Sequence, residues 1–212
     1  PDVVGRLLTH PDVAAVSFVG STPTAKHIYK TAIEHGKRCQ ALGAAKNHGI
    51  VLADADLENA ANSLVAAAFG AAGERCMALP VALVQEEVAD QLIALVADRA
   101  RAVRVLPGDH PDSDMGPIIS AQSRARITSL IDSAEAEGAK ILVDGRDTVV
   151  PGSEGGWFLG PTVIDGVHPD MTINRQEVFG PVLEVIRISG LEEGIALINA
   201  NPYGNGTALF TS

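Results

Sequence analysis

The feature that most constrains this chain is an alternation. Short apolar runs rich in β-branched residues are separated by longer segments whose apolar residues recur every three or four positions. Residues 81–84, VALV, are followed directly by a segment over 86–103 that places Val88, Leu92, Leu95, Val96 and Val103 at helical spacing. A short continuous apolar run suits a strand buried on both faces, whereas a 3.6-residue period suits a helix with one apolar stripe. Strands separated by helices cannot pair as tight hairpins, so they pair through helical crossovers. The alternation therefore predicts an α/β fold with a largely parallel sheet.

The pattern runs the length of the chain. AAVSFV at 14–19, closed by Gly20, reads as a strand buried on both faces, and a helix follows with Thr22 as N-cap, Pro23 in its first turn and its end at Gly36. IVLAD reads as a strand ending at Asp54. After it, Leu57, Ala60, Ala61, Leu64, Val65, Ala68 and Phe69 share one helical face, and Gly70 and Gly73 end that helix. Beyond a loop rich in Pro, Gly and Asp, Ser120 opens a helix closed by Gly138. AKILVDG, strands near 162–166 and 181–188, a helix near 191–200 and a last strand complete the reading.

Charge and cysteine usage narrow the function. A formal net charge of -10 excludes a broad phosphate-backbone surface, so nucleic acid is not an expected partner. No apolar run approaches the ~20 residues that span a bilayer, and the N-terminal stretch lacks a basic region followed by an apolar segment, so no membrane association is expected. The two cysteines, Cys39 and Cys76, have neither C-x-x-C spacing nor enough partners for a zinc cage, and the six histidines are scattered, so no metal site is expected. A reducing, cytoplasmic setting fits this usage. The chain has no initiator Met and stops inside the apparent strand TALFTS, so it reads as part of a longer polypeptide.

Several segments have the residue types of a reactive site, each with a plainer alternative. SFVGSTPT puts Gly-Ser-Thr at a strand-to-helix turn, where free N–H groups and the helix dipole hold a phosphate, or where a tight turn merely caps a helix. Cys76, in GAAGERCMA, has Arg75 beside it and glycines that permit close backbone approach; it is either a nucleophile or a small buried apolar residue. Glu177, in NRQEVFGPV, is either a ribose-binding carboxylate or a solvated turn residue. His48 is either a general base or, more plainly, a structural or surface residue.

In order and spacing these segments resemble the aldehyde dehydrogenase superfamily along essentially the whole chain. FVGST is similar to its cofactor-phosphate turn, GERC to its nucleophile loop and QEVFGPV to its ribose-binding segment. AAKNHGIVLADADLENA, GAAGERCMA and NPYGNGTALFTS resemble the CoA-acylating branch that handles malonate and methylmalonate semialdehydes.

The resemblance implies that residues 1–55 are the C-terminal end of an NAD-binding domain and residues 56–212 most of the cysteine-bearing catalytic domain, with N- and C-terminal parts of the subunit outside this chain. It implies Cys76 as the catalytic thiol, Arg75 as a partner for the substrate carboxylate, and Gly20, Ser21, Gly43, Glu177 and Phe179 as NAD contacts, with CoA as co-substrate. The Asn that supplies a second oxyanion donor in the family lies upstream, and an isolated chain of this extent is expected to be inactive. A homo-oligomer, dimer or tetramer, is expected of the full subunit. Aligned on Lys46, LGAAK puts Leu42 where hydrolytic relatives have the Glu of Glu-Leu-Gly-Gly-Lys, and Ala44 and Ala45 depart from the usual glycines after Gly43. Leu cannot take a proton from water, which favours a thiol as acyl acceptor. The alternatives are a hydrolytic aldehyde dehydrogenase with another base, or a non-catalytic α/β module.

Overall fold

A computed structural model describes residues 2–212, which divide into two compact units, the first ending at residue 45 and the second running from 46 to 212. The first unit contains α1 (Asp2–Thr9), β1 (Ala15–Val19), α2 (Thr22–Glu34) and β2 (Arg38–Leu42), with β1 and β2 paired in parallel. Its core is small: Leu8, Ile28 and Ala32 are buried, with Val16, Phe18 and Cys39 packed against them. Lys37 is buried too, its ammonium donating to the carbonyls of His10 (2.5 Å) and Val13 (2.6 Å), which ties the α1–β1 turn to the start of β2.

Three details differ from expectation here. β1 alternates exposed and half-buried positions instead of being buried on both faces, because among the described residues it has one strand neighbour and one covering helix, α2. The N-cap of α2 is Ser21, in extended conformation, and Pro23 falls in the first turn; Thr22 is already helical, and its Oγ1 accepts from Ala44 N at 3.1 Å. Helix α1 and strand β2 were not anticipated by the pattern.

The second unit is built on one six-stranded sheet in the order β5-β6-β7-β4-β3-β8. Its strands are β3 (His48–Val51), β4 (Val81–Gln85), β5 (Lys140–Val143), β6 (Thr162–Asp165), β7 (Val182–Ile188) and β8 (Thr207–Phe210), all pairing in parallel except β5 with β6. The helices are α3 (Leu57–Phe69), α4 (Glu86–Ala102), α5 (Ala121–Ala136) and α6 (Leu191–Ala200). Gly49 faces Leu64 of α3 while its neighbour Ile50 faces Gly194 of α6, so the alternation along β3 puts these helices on opposite sides of the sheet. Side-chain oxygens of Asp56 and Ser120 cap α3 and α5.

β3 lies between β4 and β8, so that strand's hydrogen bonds belong to the large sheet, and the second compact unit begins at Lys46. Four adjacent strands, β7, β4, β3 and β8, have their N-terminal ends on the same edge, since His48 pairs with Val81 and Thr207, and Val81 with Glu184. The loops entering β3, β4, β7 and β8 therefore meet there. No helix among the described residues is long and apolar enough to cross a membrane.

Candidate active site

Cys76 lies in the loop that enters β4, and the approach to it is strained. At the end of α3 the chain passes through Ala71 (φ 51°), Ala72 (φ 55°) and Gly73 (φ 68°), three consecutive residues in the left-handed region. Only glycine takes that conformation without cost; for an alanine it is unfavourable by ~1–2 kcal/mol. Gly73 has a second reason to lack a side chain, because a Cβ there would run into the carbonyl group of Gly180. That contact sets the cysteine loop directly against the segment 177–180.

The loop is then tied at both ends. Glu74 accepts from Ile119 N at 3.3 and 3.2 Å, and burial raises its pKa above the ordinary carboxylate value. Cys76 is exposed, and its backbone carbonyl receives two side-chain amides, Asn47 Nδ2 at 2.9 Å and Asn205 Nδ2 at 2.7 Å. Asn47 is buried and fully engaged: Nδ2 also donates to Ala78 O (2.8 Å), and Oδ1 accepts from Gly206 N (2.8 Å).

The residue before it, Lys46, is equally buried and points into the β7 loop. Its ammonium donates to Glu184 Oε1 at 2.5 Å, and to the carbonyls of Ile173 and Gln176 at 2.8 Å each. Asn174 donates to the other Glu184 oxygen at 2.9 Å. Burial lowers the Lys46 pKa, opposed by the adjacent Glu184 carboxylate and, less strongly, by Glu177. His48, next along the strand, is 3% exposed, and its pKa falls to about 4, first through burial and then through the Lys46 charge.

Glu177 and Phe179 sit just past these anchors. Arg126 of α5 donates to the carbonyls of Glu177 (3.1 Å) and Val178 (2.6 Å), and Phe179 takes φ 49°. The Glu177 side chain is half-buried. Lys46 thus holds the chain before the Glu-Val-Phe-Gly stretch and Arg126 holds the stretch itself.

Arg75 directs its guanidinium over Gly70, where a Cβ would meet Nη1 at 2.5 Å, into a cavity of about 430 Å³ that Asn62, Arg99 and Asp114 also line. It makes no side-chain hydrogen bond or ion pair among the described residues.

Within the first unit, Gly20, Ser21 and Gly43 come together where β1 and β2 end. Gly20 N donates to Leu42 O at 3.1 Å, and a Cβ on Gly43 would meet Thr22 Oγ1 at 2.7 Å, so that turn lies against the first residue of α2. Ser21 Oγ faces Thr24 Oγ1 at 2.9 Å and makes no capping bond to the α2 backbone. The result is a cradle of glycine backbone at the positive end of a 13-residue helix, which fits a phosphate group. Leu42 is half-exposed at the end of β2.

The structure thus gathers Cys76, Glu177 and Phe179 around one edge of the large sheet, and Gly20, Ser21 and Gly43 at one end of the small one. In the sequence Lys46 is only a point of alignment, and Asn47, Glu184 and Asn205 do not stand out. The signal available was the pair Lys46–Asn47 at the mouth of an apolar strand, since polar residues drawn into a core need partners there.

The profile of the Aldehyde dehydrogenase family matches residues 1–212. The malonate-semialdehyde dehydrogenase of Pseudomonas aeruginosa is 50% identical over 211 residues, covering 99% of this chain and 42% of that protein. The mitochondrial methylmalonate-semialdehyde/malonate-semialdehyde dehydrogenase [acylating] of Mus musculus is 51% identical over 211 residues, covering 100% of this chain and 39% of that protein. A protein of Sinorhizobium meliloti 1021, assigned as a methylmalonate-semialdehyde dehydrogenase and solved complexed with NAD, superposes with a TM-score of 0.96 at 49% identity, over 99% of this chain and 43% of that one. The chain spans about two fifths of the length of the relatives it matches.

Proposed function

This chain belongs to the aldehyde dehydrogenase family, and from that premise we propose that it forms the catalytic part of an enzyme that oxidises malonate or methylmalonate semialdehyde and transfers the acyl group to CoA. The observation that carries the reading is an exposed cysteine, Cys76, on a strained loop whose backbone carbonyl is held by two side-chain amides, those of Asn47 and Asn205. A core cysteine needs no such construction. The relatives named for malonate-type semialdehydes support the substrate class, and the acylating name of the murine one supports CoA as acceptor.

In this reading the Cys76 thiolate adds to the aldehyde carbon. The S–C bond forms as the carbonyl π pair moves onto oxygen, and the Cys76 N–H donates to the oxyanion. NAD, when bound, supplies the hydride acceptor that turns the thiohemiacetal into a thioester. Gly20 and Ser21 would hold its pyrophosphate at the α2 N-terminus, Gly43 would offer backbone to its nicotinamide end, Glu177 would accept from its ribose hydroxyls, and Phe179 would lie beside that ribose. The CoA thiolate then attacks the thioester carbonyl and expels the Cys76 thiolate. With Leu42 in place of a carboxylate, no general base stands at that position to activate water, so the thiol acceptor is favoured.

Arg75 would pair with the substrate carboxylate; its lack of any side-chain ion pair among the described residues supports a role toward a ligand. Two free thiols support a reducing compartment such as the cytoplasm. A homo-oligomer, dimer or tetramer, is carried over from the family resemblance and is checked by light scattering. The function is tested by NADH formation from malonate semialdehyde with and without CoA. Sustained turnover only with CoA is expected, and equal turnover without it would replace the acylating reading with a hydrolytic one.

A further inference from the structure

The carbonyl of Cys76 is an acceptor with both lone pairs taken. Asn47 reaches it from the start of β3 at 2.9 Å and Asn205 from the loop before β8 at 2.7 Å. The second arm is built with some strain, because Asn205 has φ 144°, a backbone region that L side chains rarely adopt. Its neighbour Gly206 lies so near the residue after the cysteine that a Cβ there would meet Met77 Cε at 2.6 Å, and Gly206 N is held in turn by Asn47 Oδ1 at 2.8 Å. Asn205 is exposed, so its amide is not drawn to Cys76 by burial.

We propose that Asn205 is a positioning residue for the Cys76 thiol, acting with Asn47 as a two-armed clamp on the Cys76 carbonyl; this rests on the reading of Cys76 as the nucleophile. The strained run Ala71–Gly73 means that local preference does not hold the loop in this conformation, so long-range contacts must do so. Pinning the carbonyl fixes ψ of Cys76. With the preceding turn fixed by Glu74, the N–H has one direction and the thiol keeps only its χ1 freedom. Those are the donor and nucleophile that must converge on one aldehyde carbon. Without the Asn205 arm the peptide swings about a single remaining hydrogen bond, that of Asn47. The fold survives, and the alignment of thiol and N–H is lost.

The test uses Asn205→Ala and Asn205→Asp in the complete enzyme, read by NADH formation and by the pH dependence of Cys76 alkylation with iodoacetamide, with Cys39 in the same protein as internal reference. For Asn205→Ala, kcat falls about tenfold, equivalent to ~1.4 kcal/mol, with the aldehyde KM within about twofold. In Asn205→Asp a carboxylate replaces the amide beside Cys76. The midpoint of Cys76 alkylation then moves to higher pH, because a nearby negative charge disfavours the thiolate, while that of Cys39 stays in place. Unchanged kcat in Asn205→Ala, or an unmoved Cys76 midpoint in Asn205→Asp, overturns the proposal. Full turnover by Cys76→Ser would instead overturn the nucleophile reading, a result the alkylation arm does not share.

Discussion

At the scale of single residues, the buried pair Lys46–Glu184 governs what substitution can do. Both side chains are wholly buried, and each polar atom around them is matched, with Asn174 on one side and two backbone carbonyls on the other. Removing one partner strands the other charge in the core, so Lys46→Met is expected to cost about 3–5 kcal/mol in chemical denaturation. The double variant Lys46→Met/Glu184→Gln is expected to regain most of that loss, since no bare charge remains. None of this was legible in the sequence. Lys46 and Glu184 are 138 positions apart, and a lysine and a glutamate in isolation read as surface residues. The same holds for Asn205, whose setting NPYGNG reads as a turn and nothing more.

Elements were easier to read where one face is buried and harder where none is. Helix α3 is legible because Ala60, Ala61, Leu64, Ala68 and Phe69 are all buried, and burial is what periodicity encodes. Strand β2, RCQAL, escaped because alternate positions are exposed and it has no β-branched residue. Helix α1 has eight residues with Gly5 in its middle, too short and too flexible to leave a pattern. The loop after α3 gives a prediction with opposite signs two residues apart. Ala71→Gly relieves the left-handed strain and is expected to be neutral or stabilising by up to about 1 kcal/mol. Gly73→Ala drives a methyl into the Gly180 carbonyl, and is expected to lower the thermal midpoint by several degrees, displacing the cysteine loop.

For the molecule as a whole, pH and the unequal cores set the stability. His48 has a folded pKa of about 4 against an unfolded value of 6.5, so below pH 6.5 the unfolded chain takes up a proton that the folded chain refuses. Stability from this group is complete above pH 6.5 and is lost as the pH falls toward 4, by about 3 kcal/mol in all. Urea titrations from pH 7 to 4 should show that loss, and His48→Gln should flatten it. The two units also differ in what they bury, a small cluster around Leu8, Ile28 and Ala32 in the first against the large sheet core in the second. Hydrogen exchange is expected to be faster in β1 and β2 than in β4 and β7, with the small unit opening first.

Lys46 and Asn47 are consecutive, and between them they grip the loop before β7 and the loop before β4. Their Cα atoms lie about 3.8 Å apart along a trans peptide, so both loops are measured from nearly the same origin. Any drift of that origin, by thermal motion or by a distant substitution, carries both loops in the same direction and by nearly the same amount. Errors of position that would add if each loop had its own anchor cancel instead, as they do when two instruments share one datum.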